Sequence, residues 1–315
     1  VPAPLLVVDA PYLLYRSFFG IPDTVRSPDG HPVNALLGSV NALLRVISDV
    51  NPRAVVICLG AEQAPYRVEL FAGYHAARPP MPEDLAWQFE RAPELFAALG
   101  WYVEGSDELE ADDLLGSFAK AEADAGGMTL ILTGDRDMYQ CVTDRTGVLY
   151  LKQGSAGFEV VGAAEVRERY GIAPEQVPDF IALRGDPSDG LPGAPGIGEK
   201  TAADLLRRHG TLQRLLEAVS GGGSGAGPDQ AGGAPSAGRD GGTRSAARDG
   251  AERPRIAAAL RDNADLLRAF REIATLRLVD VARPPDRGTD HAGGAVAAAA
   301  LGMGNLAGRL ESSTA

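Results

Sequence analysis

Short apolar runs alternate along this chain with longer stretches of helical spacing. The runs are Leu5–Val8, Ala54–Leu59, Trp101–Val103, Thr129–Leu132 and Val148–Leu151. Most are rich in Val, Ile and Leu and stop at a polar residue or glycine, the pattern of strands buried on both faces. Between the first four, apolar residues three and four apart predict helices, among them Ala35–Val50 and Leu85–Leu99. Strands alternating with helices predict an α/β unit on a mostly parallel sheet, spanning residues 1–162.

From 163 to 287 the pattern changes to short helices broken by Gly and Pro: Ala163–Tyr170, Glu175–Arg184, Lys200–Arg208 and Leu212–Val219. Residues 220–255 contain no Val, Ile, Leu, Met, Phe, Tyr or Trp and are rich in glycine. Such a stretch buries too little apolar area to offset chain entropy, so a flexible insertion is expected there. Helical spacing resumes from Ile256 to Ile273, Thr275–Val281 reads as a strand, and 288–315 reads as a weakly ordered tail with a weak helix near 295–310.

Composition adds exclusions. Acids outnumber bases, 42 to 30, for a net charge of −12, and 45% of the 315 residues are apolar. Two cysteines, Cys58 and Cys141, cannot build a disulfide framework or a four-cysteine metal site. The opening VPAPLLVVDA lacks a basic segment and a long apolar core, so neither a signal peptide nor a membrane span is expected, and the location expected is cytoplasmic.

The positions of the acids matter more than their number. Asp9 follows the first apolar run; Glu110, Asp112 and Asp113 follow the third; Asp135 and Asp137 follow the fourth. Ligands of open parallel sheets bind at the carboxyl ends of strands, so these acids are expected to converge. Asp186 and Asp189, in RGDPSDGLPG, add two more on one side of a helical turn. Carboxylates crowded about 4 Å apart repel by roughly 4 kcal/mol per pair at an effective dielectric near 20. Two hard divalent cations would relieve this and suit phosphodiester hydrolysis. The shortage of His and Cys favours Mg²⁺ or Mn²⁺ over Zn²⁺. Any single acid here also has an ordinary reading: Ser106 can cap a helix whose first turn is acidic because the helix dipole favours it.

The string LPGAPGIGEKTAADLL is glycine-rich but matches neither a P-loop, since Glu199 intervenes before Lys200-Thr201, nor a dinucleotide fingerprint. It reads as a tight turn into a helix, presenting backbone N–H groups to a nucleic-acid phosphate with Lys200 and Thr201 beside them. A purely structural turn is the other reading.

Taken in order, LLVVDAPYLLYRSFFG, YRVELFAGYHAARPPMPEDL, ELEADDLLGSFA, LTGDRDMYQ and RGDPSDGLPGAPGIGEKTAADLL resemble the bacterial 5′→3′ exonucleases of the 5′-nuclease superfamily. That resemblance implies a PIN-like α/β domain with flanking helices and a helical arch, then a helix–three-turn–helix DNA-binding region. It implies two divalent ions and cleavage of DNA at 5′ ends or flaps in replication or repair intermediates. By motif, Asp9, Glu110, Asp112 and Asp135 would lie near the first ion, and Asp113, Asp137, Asp186 and Asp189 nearer the second. Gly193, Gly196, Gly198, Lys200 and Thr201 would grip duplex backbone with help from K⁺. Arg67, His75 and Arg78 would lie in the arch near the scissile phosphate, and Arg16 would support phosphate. Any DNA polymerase partner would act in trans.

Two positions depart from the family pattern. An Asp is expected after the second strand, where this chain has Gly60 with Glu62 nearby, and a Lys is expected where it has His75. Loss of one electrostatic contributor commonly costs about 10²–10³ in rate. The expectation is therefore a slow nuclease. The alternatives are a non-catalytic binder of branched DNA and a PIN-type ribonuclease.

Overall fold

A computed structural model describes residues 3–152, 157–221 and 252–313. Most of the expected insertion therefore lies outside the described residues. The first region runs β1 (Leu5–Asp9), α1 (Ala10–Gly20), α2 (Asn34–Val50), β2 (Ala54–Leu59), α3 (Pro65–Leu70), α4 (Glu83–Ala98), β3 (Tyr102–Gly105), α5 (Ala111–Asp124), β4 (Thr129–Leu132), β5 (Thr146–Leu151) and β6 (Phe158–Val161). The strands form one sheet in the order β3-β2-β1-β4-β5-β6, parallel except for the last pair.

Alternate residues of each strand feed two cores. Leu5, Val7, Val56 and Ile131 face a layer containing α5, whereas Leu6, Val8, Ile57 and Leu132 face a layer of α1, α2 and α4. This two-sided burial accounts for unbroken apolar runs where an exposed sheet would alternate. The order reverses direction between β1 and β4, and ligands of such sheets bind at that switch point, beyond the strands' carboxyl ends. Asp9 closes β1 there, and Asp135 follows β4.

The second region contributes α6 (Ala163–Tyr170), α7 (Val177–Arg184), α8 (Glu199–His209), α9 (Leu212–Gly221), α10 (Pro254–Asp262) and α11 (Ala264–Ala274). Phe180, Leu206, Leu215, Leu260 and Phe270 continue the core on the α5 side, so the helical region is packed directly against the sheet unit.

Two expectations are corrected. Residues 275–281 are extended but belong to no strand: the Arg277 N–H donates to Asp113 Oδ1 at 2.8 Å and the Val279 N–H to Ser117 Oγ at 3.0 Å. The backbone finds side-chain acceptors where a strand would find another backbone. The tail after 288 forms α12 (His291–Ala300) and α13 (Gly304–Ser312), which bury Ala295, Ala298, Met303, Leu306 and Leu310 beside α4. Its apolar signal is weak because it packs through small residues: a Cβ on Gly294 would lie 2.3 Å from Leu99 Cδ2. The arch motif YRVELFAGYHAARPPMPEDL runs through six-residue α3 and the turns of 72–77 into the start of α4.

Candidate metal site and nucleic-acid interface

Four carboxylates stand together at the switch point. Asp9 caps α1, accepting the Tyr12 N–H at 2.9 Å on Oδ1 and the Thr133 hydroxyl at 2.6 Å on Oδ2. The loop after β4 is folded by its own polar groups: the Asp135 N–H donates to Thr133 Oγ1 at 3.0 Å, and Asp135 Oδ1 accepts the Asp137 N–H at 2.8 Å. Asp112 enters from the first turn of α5. Among the described residues none of Asp9, Asp112, Asp135 and Asp137 forms an ion pair with Lys, Arg or His.

Their protonation reflects that lack. Burial, followed by the charges of Asp135 and Asp9, pushes Asp112 well above the usual carboxylate range. Burial and the neighbouring Asp135, Asp189, Asp186 and Asp112 do the same to Asp137. Asp135 is pushed up to about 6 by the loss of surrounding water first and then by Asp189, Asp9 and Asp186, with the Asp137 N–H opposing, although part of the residue stays open to solvent. Asp9 is raised by burial, with its bonds to Thr133 and Tyr12 opposing. Oxygen-only donors that repel one another, with no protein cation among them, fit a hard divalent ion. The cage is not preformed: among the described residues no three His, Cys, Asp or Glu side chains are already arranged to hold an ion.

The other sequence-predicted acids are engaged elsewhere. Asp113 is fully buried; it accepts from Arg67 Nη2 at 2.9 Å, the Tyr66 hydroxyl at 3.2 Å, the Arg277 N–H at 2.8 Å and the Glu110 N–H at 3.2 Å. That removes it from the expected metal set, because its lone pairs are spent on the interior. Glu110 lies between the two groups, with Oε2 against Arg67 Nη1 and the Tyr74 hydroxyl, each at 2.8 Å, and Oε1 on the Ala64 N–H at 2.7 Å. Asp186 accepts both the N–H and the hydroxyl of Ser188 on Oδ1 and contacts Arg184 at 3.3 Å through Oδ2. Asp189 Oδ1 is 3.1 Å from His75 Nε2.

The expected arch cations are likewise relocated. Arg67 is only 3% exposed and also donates to the Ile273 carbonyl, so it joins α3, α5 and α11 and is closed off from a phosphate. Burial opposes the charge on its guanidinium, but Glu110 and Asp113 outweigh that and hold it charged. His75, 5% exposed and at φ +52°, has Nδ1 facing the Glu62 carbonyl and its ring stacked on Tyr74. Arg78 is exposed, and its guanidinium donates to the Glu62 carbonyl at 3.3 Å. Arg16 donates to the Lys152 carbonyl at 2.7 Å.

Gly60 is more than a missing ligand. A Cβ there would lie 2.4 Å from the Ala111 nitrogen and 2.5 Å from the Glu110 carbonyl carbon, because the start of α5 has closed onto the loop. Glu62 does not fill the gap: it is exposed and its Oε1 takes the Tyr15 hydroxyl at 3.3 Å.

The glycine turn divides in two. Gly193, at φ +67°, sits against the end of α7, where a Cβ would lie 2.3 Å from the Gly185 nitrogen; that half is structural. Gly196, at φ +77°, and Gly198, which opens α8, face open space together with exposed Lys200. Thr201, in the first turn of α8, is half-buried. Sequence reasoning missed Tyr66, Tyr74, Thr133 and Arg184. All four lie inside the motif strings quoted above, Tyr66 and Tyr74 in YRVELFAGYHAARPPMPEDL, Thr133 in LTGDRDMYQ and Arg184 at the head of RGDPSDGLPG, but nothing in the strings themselves gave them a role.

A parallel sheet with an acidic cluster at its switch point, packed on helices joined by an exposed glycine turn, defines a 5′-nuclease architecture. Residues 4–171 match the 5′-3′ exonuclease N-terminal resolvase-like domain and 172–284 match the 5′-3′ exonuclease C-terminal SAM fold. The chain belongs to the 5′-3′ exonuclease family. It is 39% identical over 237 residues to a 5′-3′ exonuclease of Mycobacterium tuberculosis, covering 69% of this chain and 74% of that one. A Streptomyces coelicolor 5′-3′ exonuclease is 41% identical over 228 residues, 68% of this chain and 75% of that one. In fold it is similar to the T5 D15 protein co-crystallised with metal ions, at TM-score 0.64 and 15% identity over 98% and 97% of the two chains. Among the described residues no helix is long and apolar enough to cross a membrane.

Proposed function

We propose that this protein is a divalent-metal-dependent 5′→3′ exonuclease and 5′-flap endonuclease acting on DNA replication or repair intermediates. The observation that carries this is the uncompensated group Asp9, Asp112, Asp135 and Asp137 at the switch point. A bound divalent ion, Mg²⁺ or Mn²⁺ by the hardness of these ligands, would lower the pKa of an attacking water and offset charge on the phosphate. Asp9 is oriented by Tyr12 and Thr133, and Asp135 by the Asp137 N–H, so both present fixed oxygens. Glu110, anchored on Arg67 and Tyr74, positions the start of α5 and hence Asp112.

The exposed turn Gly196–Thr201 is the duplex contact in this reading. The N–H groups at the start of α8 and Lys200 would meet phosphates without reading bases, and a K⁺ ion bound at the turn would strengthen that grip. A DNA polymerase acting in trans and a cytoplasmic location complete the proposal. With His75 and Arg67 buried, the exposed Arg78 is the one expected arch cation left open to a phosphate, which supports a slow enzyme. The same observation favours, as second reading, a branched-DNA binder with little chemistry. Product released with Mg²⁺ from a labelled 5′-flap duplex, from a recessed 5′ end and from single-stranded RNA distinguishes the cases. Flap cleavage well above RNA cleavage is expected. Equal RNA cleavage would support a PIN-type ribonuclease, and flap binding without product would support the binder.

A further inference from the structure

We infer that this protein holds one divalent ion at its acidic site, because His75 and Arg184 occupy the carboxylates that a second ion would need. The inference rests on the nuclease reading above and narrows it.

Of the four acids expected nearer a second ion, three are committed to protein donors. Asp113 is enclosed by Arg67, Tyr66 and two backbone N–H groups. Asp186 has both oxygens taken, one by Ser188 and one by Arg184. Asp189 receives the His75 ring at 3.1 Å. Only Asp137 remains. The position where the family pattern places another carboxylate is Gly60, and the α5 backbone fills the space such a side chain would enter.

An incoming ion could displace a loose side chain, but His75 is not loose. Its two ring nitrogens face Asp189 Oδ1 and the Glu62 carbonyl, and its ring stacks on Tyr74 with centroids 4.0 Å apart. Its backbone N–H donates to the Asp189 carbonyl at 3.0 Å. Close by, Gly190 lies so near the Gly73 carbonyl that a Cβ would approach within 2.6 Å. The 73–75 turn is thus held on the 186–191 loop by both backbone and side chain, which keeps the His75 ring beside Asp189 Oδ1. The main chain at Asp186 is fixed as well, since Asp186 and Leu191 exchange two backbone hydrogen bonds of 2.8 Å, and its carboxylate is held by Ser188 and Arg184. By contrast, Asp9, Asp112, Asp135 and Asp137 have no protein cation paired with them among the described residues: Asp9 is held only by the neutral Tyr12 N–H and Thr133 hydroxyl, and Asp135 by the Asp137 N–H, donors that leave the carboxylate charge for an ion.

The test is the number of Mn²⁺ ions bound to the full chain, counted by electron paramagnetic resonance titration without DNA. One ion per chain is expected, with any second weaker by about 10- to 100-fold, the usual effect of disturbing a ligand's partners. Two ions of similar affinity overturn the inference while leaving the nuclease reading standing. No bound ion overturns the metal site and with it the proposed function. His75→Ala with Arg184→Met should raise the count to two. A folded double variant still limited to one overturns the role given to these two side chains. If the double variant does not fold, the count on the native chain decides alone.

Discussion

Replacing Arg67 with methionine distinguishes a buried tie from a phosphate-binding arch residue. The side chain is 3% exposed and ion-pairs with Glu110 at 2.8 Å and Asp113 at 2.9 Å, while also donating to the Ile273 carbonyl. The methionine would retain much of the packing but leave the fully buried Asp113 without its cation. Breaking a buried pair from one side costs about 3–5 kcal/mol, because the stranded charge keeps its desolvation penalty. Against a total stability of about 5–15 kcal/mol, that is a large fraction. At roughly 2–4 °C per kcal/mol for a chain somewhat smaller than this one, the melting temperature should fall by about 10 °C. Chemical and thermal unfolding of native, Arg67→Met and Arg67→Met/Asp113→Asn proteins supply the assay. The double variant should recover part of the loss, since the two sites share one interaction. Arg78→Met, an exposed change, should stay within about 0.5 kcal/mol. An Arg67→Met protein as stable as the native one, yet inactive, would refute the buried tie and return Arg67 to the phosphate.

Gly60→Asp should not restore a ligand: its Cβ would lie 2.4 Å from the Ala111 nitrogen, so a lower melting temperature with no gain in Mn²⁺ binding is expected. In EDTA, stability should fall as pH rises between about 4 and 6, because Asp135 ionises near 6 when folded but at the usual 3.8 when unfolded. The unfolded chain then binds fewer protons, and Asp135→Asn should remove about 1 kcal/mol of that slope, the value being reduced because the carboxylate reaches solvent. Adding Mg²⁺ should flatten the slope for the native protein; an unchanged slope would mean that no ion binds there. Lys200→Ala should weaken duplex binding and lower its salt dependence by about one ion, which an unchanged slope would contradict.

The strands were legible because burial on both faces leaves uninterrupted apolar runs, and α2 and α4 because their apolar spacing is regular. The acids at Asp9, Asp112 and Asp135 were legible from their place after strands. Sequence could not show which way each carboxylate turns. Asp112 and Asp113 are neighbours on α5, and a rotation of about 100° along the helix separates a side chain near Asp9 and Asp135 from one facing Arg67. Arg67 and His75 read as phosphate cations for the same reason: burial and partner choice are tertiary facts. Residues 275–281 have strand-like composition, but their hydrogen-bond acceptors come from Asp113, Ser117 and Gln140, far away in sequence. The helices after 290 were faint because alanine and glycine pack by close approach and contribute little hydropathic contrast.

The most direct measurement is product formation from a 5′-flap duplex by native protein and by Asp135→Asn, in Mg²⁺, with duplex binding followed in parallel in Ca²⁺. The account predicts slow but metal-dependent cleavage by the native chain, loss of product in Asp135→Asn by about 10²-fold or more, and binding within a few-fold for both. Undiminished cleavage by Asp135→Asn would contradict it.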